Sequence, residues 1–306
     1  MKSILVTGSE GFVGSHLVKT LKETLYKIVP VCHPLLVPKR GRYVPLDITN
    51  AESTREVMKA YKPDIVFHLA AVSSVAKSFN DRPLTYSTNI MGTLHLLESA
   101  KQLDKPVRFF FVSTCEVYGG GENLTETAPI VLKNPYAISK YAAELICRDD
   151  GVENIGWIIL RPFTHTGPGQ GDNFVLPTIA RQVVEIEKGK RPPLVEIGNT
   201  EITREFMNIG DIVSAYKLSV EKCQVQEIYN IACSKGHTLG QAIQILQSVS
   251  KKKFEVKVDA AKLRKVDIPV LTGNGEKFSR TAGWHPRIKF EKTLEDLLNY
   301  WRAQVR

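Results

Sequence analysis

A tyrosine and a lysine four positions apart, in Tyr136-Ala137-Ile138-Ser139-Lys140, would share one face of a helix. A phenol titrates near about 10, so it handles protons at neutral pH only when a neighbouring cation lowers it, and Lys140 would be that cation. Its ammonium would also reach a nicotinamide ribose. Upstream, Phe111-Val112-Ser113-Thr114-Cys115-Glu116-Val117-Tyr118-Gly119 reads as the end of a buried strand. Strand ends in a doubly wound sheet face the ligand crevice, where Thr114 would hydrogen-bond the substrate oxygen whose proton Tyr136 handles. The three residues describe a hydride-transfer site: a cofactor carries the hydride, Tyr136 gives or takes the proton, and Thr114 and Lys140 hold geometry and charge.

A cradle for such a cofactor opens the chain. Thr7-Gly8-Ser9-Glu10-Gly11-Phe12-Val13-Gly14 places glycines at the spacing G-x-x-G-x-x-G between a strand and a helix. Gly8 and Gly11 would let the backbone turn tightly and approach a pyrophosphate; Gly14 would let the helix pack close to the sheet, with its N–H groups turned to the phosphates. An NAD-specific site usually has an acid at the end of the second strand, on the ribose 2′-hydroxyl. Here that stretch is Val31-Cys32-His33-Pro34, no acid occurs before Asp47, and Lys39-Arg40 would meet a 2′-phosphate. His33 and Arg40 are therefore candidate contacts and NADP(H) is favoured over NAD(H), with Asp47 and Ile48 placed to touch adenine.

These residues need a scaffold, and the apolar patterning supplies one. Residues 3–7, 26–31, 64–69, 108–112 and 157–160 read as strands, and 12–24, 86–103 and 136–148 as amphipathic helical stretches between them. The alternation predicts an α/β fold: a doubly wound parallel sheet of the Rossmann type. After Pro162 the texture changes. A strand at 193–197, a helix at 209–221, a strand at 227–231 and helices at 238–249 and 290–302 predict a smaller C-terminal α/β lobe for the substrate. The expected division is 1–162 for the dinucleotide and 163–306 for the substrate, with residues near 205–235 returning to the main sheet.

The 306 residues, 43% hydrophobic and 24% charged, suit a globular enzyme. Five cysteines without C-x-x-C or Cys/His ligand spacing predict free thiols and no metal. No apolar run approaches a membrane span and no signal peptide is read, so a cytoplasmic protein without a membrane partner is expected. The net charge of +9 includes one dense basic stretch, Lys251-Lys252-Lys253, which lacks interleaved aromatics; no nucleic-acid partner is expected.

The motif T-G-x-x-G-x-x-G, the strand end Leu69-Ala70-Ala71, Asn89 in Thr88-Asn89-Ile90-Met91-Gly92-Thr93, the S-T-x-E-x-Y-G segment and Y-x-x-x-K together resemble the extended short-chain dehydrogenase/reductase (NAD-dependent epimerase/dehydratase) family over almost the whole chain. Within it, Arg161-Pro162-Phe163-Thr164-His165-Thr166-Gly167-Pro168-Gly169-Gln170, Asn173-Phe174-Val175, Thr203-Arg204-Glu205-Phe206, the stretch 263–273 and Gly283-Trp284-His285-Pro286 resemble GDP-4-keto-6-deoxy-D-mannose reductases and GDP-mannose 4,6-dehydratases. The resemblance implies cofactor contacts from Phe12, Val13, Leu69, Ala70, Ala71 and Phe163. On the substrate side it implies Ser73, Glu116, Asn173, Phe174 and Val175, with Arg204 and Arg264 on the diphosphate and Asp267 near its ribose.

The implied reaction is NAD(P)H-dependent reduction of the C4 ketone of GDP-4-keto-6-deoxy-D-mannose to GDP-D-rhamnose, in a homodimer. Glu116 keeps a dehydratase open, because that reaction needs a base for the C5 proton and the dehydratases keep a carboxylate two positions after the Thr. A UDP-sugar 4-epimerase is a further alternative. A regulator that kept the fold and lost the chemistry would lack the Tyr or the Lys, and both stand here.

Overall fold

Segments such as Ser3-Ile4-Leu5-Val6-Thr7 and Val107-Arg108-Phe109-Phe110-Phe111-Val112 carry apolar side chains at successive positions, which suits strands covered on both faces. The computed structural model describes residues 1–36, 41–149, 154–260 and 268–306. The first half runs β1 Ser3–Thr7, α1 Phe12–Leu21, β2 Lys27–Cys32, β3 Val44–Pro45, α2 Ala51–Tyr61, β4 Ile65–His68, α3 Val75–Asn80, α4 Arg82–Tyr86, α5 Gly92–Lys101, β5 Val107–Val112, β6 Gly121–Leu124, α6 Pro135–Cys147 and β7 Ile155–Pro162. The second runs β8 His165–Thr166, α7 Val175–Glu187, β9 Leu194–Ile197, β10 Thr203–Arg204, β11 Met207–Asn208, α8 Ile209–Lys222, β12 Glu227–Ile231, β13 His237–Thr238, α9 Leu239–Val249, β14 Glu255–Val258, β15 Val270–Gly273, α10 Glu276–Ala282 and α11 Phe290–Gln304.

The main sheet is seven-stranded and parallel, in the order β12-β7-β5-β4-β1-β2-β3. This is the Rossmann-type α/β architecture that the alternation predicts. Alternate side chains divide its core in two: Phe67 and Phe110 stack at 5.2 Å on the face covered by α1 and α8, while Phe109 and Phe111 join Leu96 and Leu97 of α5 on the other. Strand order reverses between β1 and β4, and the crevice beyond the C-terminal ends at such a switch point is where ligands bind. A third core, with Leu176 and Val183 of α7, Leu246 of α9 and Leu297 of α11, holds the smaller lobe together. No helix among the described residues is long and apolar enough to cross a membrane.

The chain does not divide cleanly at residue 162. β12, within the stretch near 205–235 expected to return, adds to the main sheet beside β7, and β6, from the first half, joins the second sheet β13-β10-β15-β6. Pairing at such sequence distance leaves no local signal. The amphipathic stretch 86–103 is also more broken than its periodicity suggests: a wide π turn spans Ser87–Met91 before α5 begins at Gly92, whose missing Cβ leaves room for Ile48.

A buried ion pair fixes α6 to the sheet. Arg161 of β7 donates from Nε to Glu144 Oε1 at 2.9 Å and from Nη2 to Oε2 at 2.5 Å, and both side chains are almost wholly buried. Ser113 at the end of β5 donates to the same Oε1; Tyr118 accepts from Arg161 Nη1 at 3.0 Å and donates to Asn230 of β12 at 2.7 Å. One network therefore ties α6, β5, β7 and β12, and removing one partner strands a buried charge. Arg161→Ala should lower the unfolding free energy by about 3–5 kcal/mol in urea titrations; a loss under about 1 kcal/mol would contradict this reading of the network.

Candidate active site

At the switch point the glycine turn is shaped by contacts no side chain could survive. A Cβ on Gly14 would lie 2.0 Å from the Gly8 carbonyl oxygen; Gly8 itself has φ +65°, and its Cβ would lie 2.8 Å from the Ala70 nitrogen. The turn thus packs directly on the strand end Leu69-Ala70, where both N–H groups donate to Thr7 Oγ1 at 3.2 Å. No side chain caps the N-terminus of α1. Its first N–H groups face the crevice, an arrangement that fits a pyrophosphate. Phe12 lies beside it, stacked with His165 at 6.2 Å, and Val13 packs against the core.

The other residues expected around the cofactor have the following surroundings. The Phe163 side chain is fully buried, stacked on Tyr118 and pressed under Gly273. Ile48 is likewise buried, against Gly92. Asp47 accepts the N–H and hydroxyl of Thr49 at 2.9 and 2.7 Å, and lies 3.9 Å from His33. Ala71 is half-buried on the loop after β4. Arg40, with Lys39, lies outside the described residues.

The sequence folds locally so that Thr114 and Tyr136 meet. Thr114 caps a short 3₁₀ turn, Cys115–Tyr118, by accepting the Glu116 N–H at 3.2 Å. Asn134 caps α6 by accepting the Ala137 N–H at 2.8 Å, and Pro135 suits the first helical position. Tyr136 is then set by its backbone N–H on Ser78 Oγ at 3.2 Å and a side-chain hydrogen bond with Thr114. Asn89 joins the π turn to α6, donating to Ser139 Oγ at 2.8 Å and to the Val72 carbonyl at 3.1 Å. Lys140, 2% exposed, lies with Nζ 4.1 Å from the centre of the Phe111 ring.

Desolvation overrides the electrostatic pairing expected from the spacing. Burial raises the Tyr136 phenol above its ordinary value, Cys115 and Glu116 add to the rise, and the hydrogen bond with Thr114 opposes it. Burial brings the Lys140 ammonium down to about 7, against the pull of Cys147 and Glu144. Lys140 is not among the groups that set the Tyr136 value, and burial holds this phenol above its ordinary value.

Val75, Phe79, Glu116, Lys133, Asn134, Arg204 and Ile268 line a narrow crevice on the substrate side. Glu116 accepts from Asn134 Nδ2 at 3.0 Å, and buried Arg204 donates to the Thr203 carbonyl at 2.8 Å. Next to Arg204, Glu205 accepts the N–H groups of Gly273 and Cys233 at 2.6 and 2.7 Å, tying β10 to β15 and to the end of β12. Burial pushes the Glu205 carboxyl up to about 7, although these bonds pull it down. Ser73 is exposed on the loop that leads into α3. Asn173 is exposed, and Phe174 and Val175 are half-buried at the start of α7. Arg264 and Asp267 lie outside the described residues. Sequence reasoning missed Lys133 and Asn134 as lining residues; the Asn134-Pro135 pair is a helix-start signal that points to the second.

A family model described as GDP-mannose 4,6 dehydratase matches residues 5–297. The chain belongs to this family. It is 32% identical over 314 residues to the GDP-6-deoxy-D-mannose reductase of Pseudomonas aeruginosa, covering 99% of this chain and 98% of that one. It is 30% identical over 284 residues to the GDP-6-deoxy-D-talose 4-dehydrogenase of Aggregatibacter actinomycetemcomitans, covering 92% and 91%. Its fold matches RMD from Pseudomonas aeruginosa complexed with NADPH at a TM-score of 0.88, with 28% identity over 100% of both chains. It also matches Thermus thermophilus UDP-glucose 4-epimerase in complex with NAD at 0.87, with 27% identity over 99% of this chain and 100% of that one.

Lys140 gives a signed pH dependence. Its value falls from 10.5 unfolded to about 7 folded, so between these limits the unfolded chain binds more protons and stability rises with pH. In thermal unfolding across this window, Lys140→Met should flatten that rise; parallel curves for the two proteins would contradict the assignment.

Proposed function

We propose that this chain reduces the C4 ketone of GDP-4-keto-6-deoxy-D-mannose to GDP-D-rhamnose with NAD(P)H. The reading is carried by similarity to the Pseudomonas aeruginosa GDP-6-deoxy-D-mannose reductase over nearly all of both chains. Thr114, Tyr136 and Lys140 all stand in this chain, and a protonated phenol at Tyr136 can give the proton that a ketone reduction needs.

The dinucleotide, when bound over the glycine turn, supplies the hydride to the carbonyl carbon. As charge builds on the carbonyl oxygen, Tyr136 passes its proton to it, since an alkoxide is more basic than a phenolate. Thr114 orients the phenol towards that oxygen. Lys140, near 7, is part ammonium at neutral pH, and its charged form stabilises the phenolate left behind. Arg204 brings a fixed guanidinium to the crevice, suited to an anionic diphosphate.

Glu116 supports a second reading, because its carboxylate lines the same crevice as Arg204 and would serve a dehydratase as the C5 base. The two readings separate in one assay. Given GDP-mannose and NAD(P)+, the protein should leave its mass unchanged; given GDP-4-keto-6-deoxy-D-mannose and NAD(P)H, it should add two hydrogens. Loss of water from GDP-mannose would establish the dehydratase instead. Tyr136→Phe should lower kcat by about 10²–10⁴ while leaving NAD(P)H affinity near that of the parent, and an unchanged kcat would remove Tyr136 from the proton transfer.

A further inference from the structure

The end of β2 lacks an acid in the sequence, yet the fold brings a carboxylate to it. Glu10, in the glycine turn, accepts the backbone N–H of His33, the first residue beyond β2, on Oε1 at 3.2 Å. Its charge adds to burial in raising the thiol of Cys32, the last residue of β2. The other oxygen, Oε2, is buried and meets no donor among the described residues. The turn that presents it is pinned to the same strand end, because the Ser9 hydroxyl and N–H both donate to the Val31 carbonyl, at 2.6 and 3.1 Å. A positioned carboxylate with one oxygen unsatisfied, on the border of turn and strand end, stands where an adenosine ribose would meet the protein.

We infer that Glu10 selects the cofactor: its carboxylate accepts the adenosine 2′-hydroxyl of NAD(H) and repels the 2′-phosphate of NADP(H). The inference rests on the dinucleotide reading above and reverses the preference drawn from the missing acid and from Lys39-Arg40. A hydroxyl bonded to a carboxylate makes a charge-assisted hydrogen bond. A phosphate carrying about −1.5 to −2 charge would meet that carboxylate as a like charge at close range.

The test is titration of the whole chain with NADH and with NADPH, following dinucleotide fluorescence, for the parent, Glu10→Gln and Glu10→Ser, with thermal unfolding to verify that each variant is folded. Gln keeps an acceptor for the His33 N–H and removes the charge; Ser removes both. The parent should bind NADH about tenfold or more tighter than NADPH, and both variants should shift that ratio towards NADPH by about tenfold. A parent that binds NADPH at least as tightly as NADH, or folded variants with an unchanged ratio, would overturn the inference. If neither dinucleotide bound the parent, the dinucleotide reading itself would fall, and the role of Glu10 with it.

Discussion

The buried Glu144–Arg161 pair is the constraint from which the geometry of the site follows. Tyr136, Lys140 and Glu144 recur at four-residue intervals along one face of α6, so fixing Glu144 fixes the phase of the helix. The same carboxylate is gripped by Ser113, the residue before Thr114. Helix and strand end, which carry the two hydrogen-bonded hydroxyls, therefore share an anchor. Such a pair adds little to stability in itself, since desolvation offsets much of its attraction, but it permits one arrangement and makes the alternatives costly. Asn89, Ser78 and Asn134 refine what the ion pair sets, each satisfying backbone groups at the edges of the site.

Burial gives two neighbouring residues on one helix opposite tendencies. It keeps the phenol of Tyr136 protonated and loosens the proton of Lys140, so the pair begins as a donor beside a cation of moderate strength. The glycine turn contributes differently, by absence: Gly8 and Gly14 allow backbone to approach backbone, which leaves the helix N-terminus open and brings Glu10 against the end of β2.

Much of this was legible in the sequence wherever the information is local. Y-x-x-x-K encodes a shared helical face, G-x-x-G-x-x-G encodes a turn only glycine can make, and unbroken apolar runs encode strands buried on both sides. What the sequence hid depends on chain-distant packing or on desolvation. Phe163 and Ile48 sit in motif positions yet turn into the core, because Gly273 and Gly92 open space for them. β6 crosses to the second sheet through pairing with β15, which has no local signature. The sign of the Tyr136 shift follows from how deeply the helix is buried, which spacing does not state. Glu10 reads as one more turn residue until the fold sets it beside His33.

Isotope transfer separates the chemistries this family spans. With GDP-4-keto-6-deoxy-D-mannose and a dinucleotide deuterated at the reactive nicotinamide carbon, a reductase built on Thr114, Tyr136 and Lys140 should place one deuterium at C4 of the product hexose, detected by mass and by NMR. A reduced hexose formed without deuterium at C4, or no reduction of the ketone at all, would contradict hydride transfer from the dinucleotide to C4.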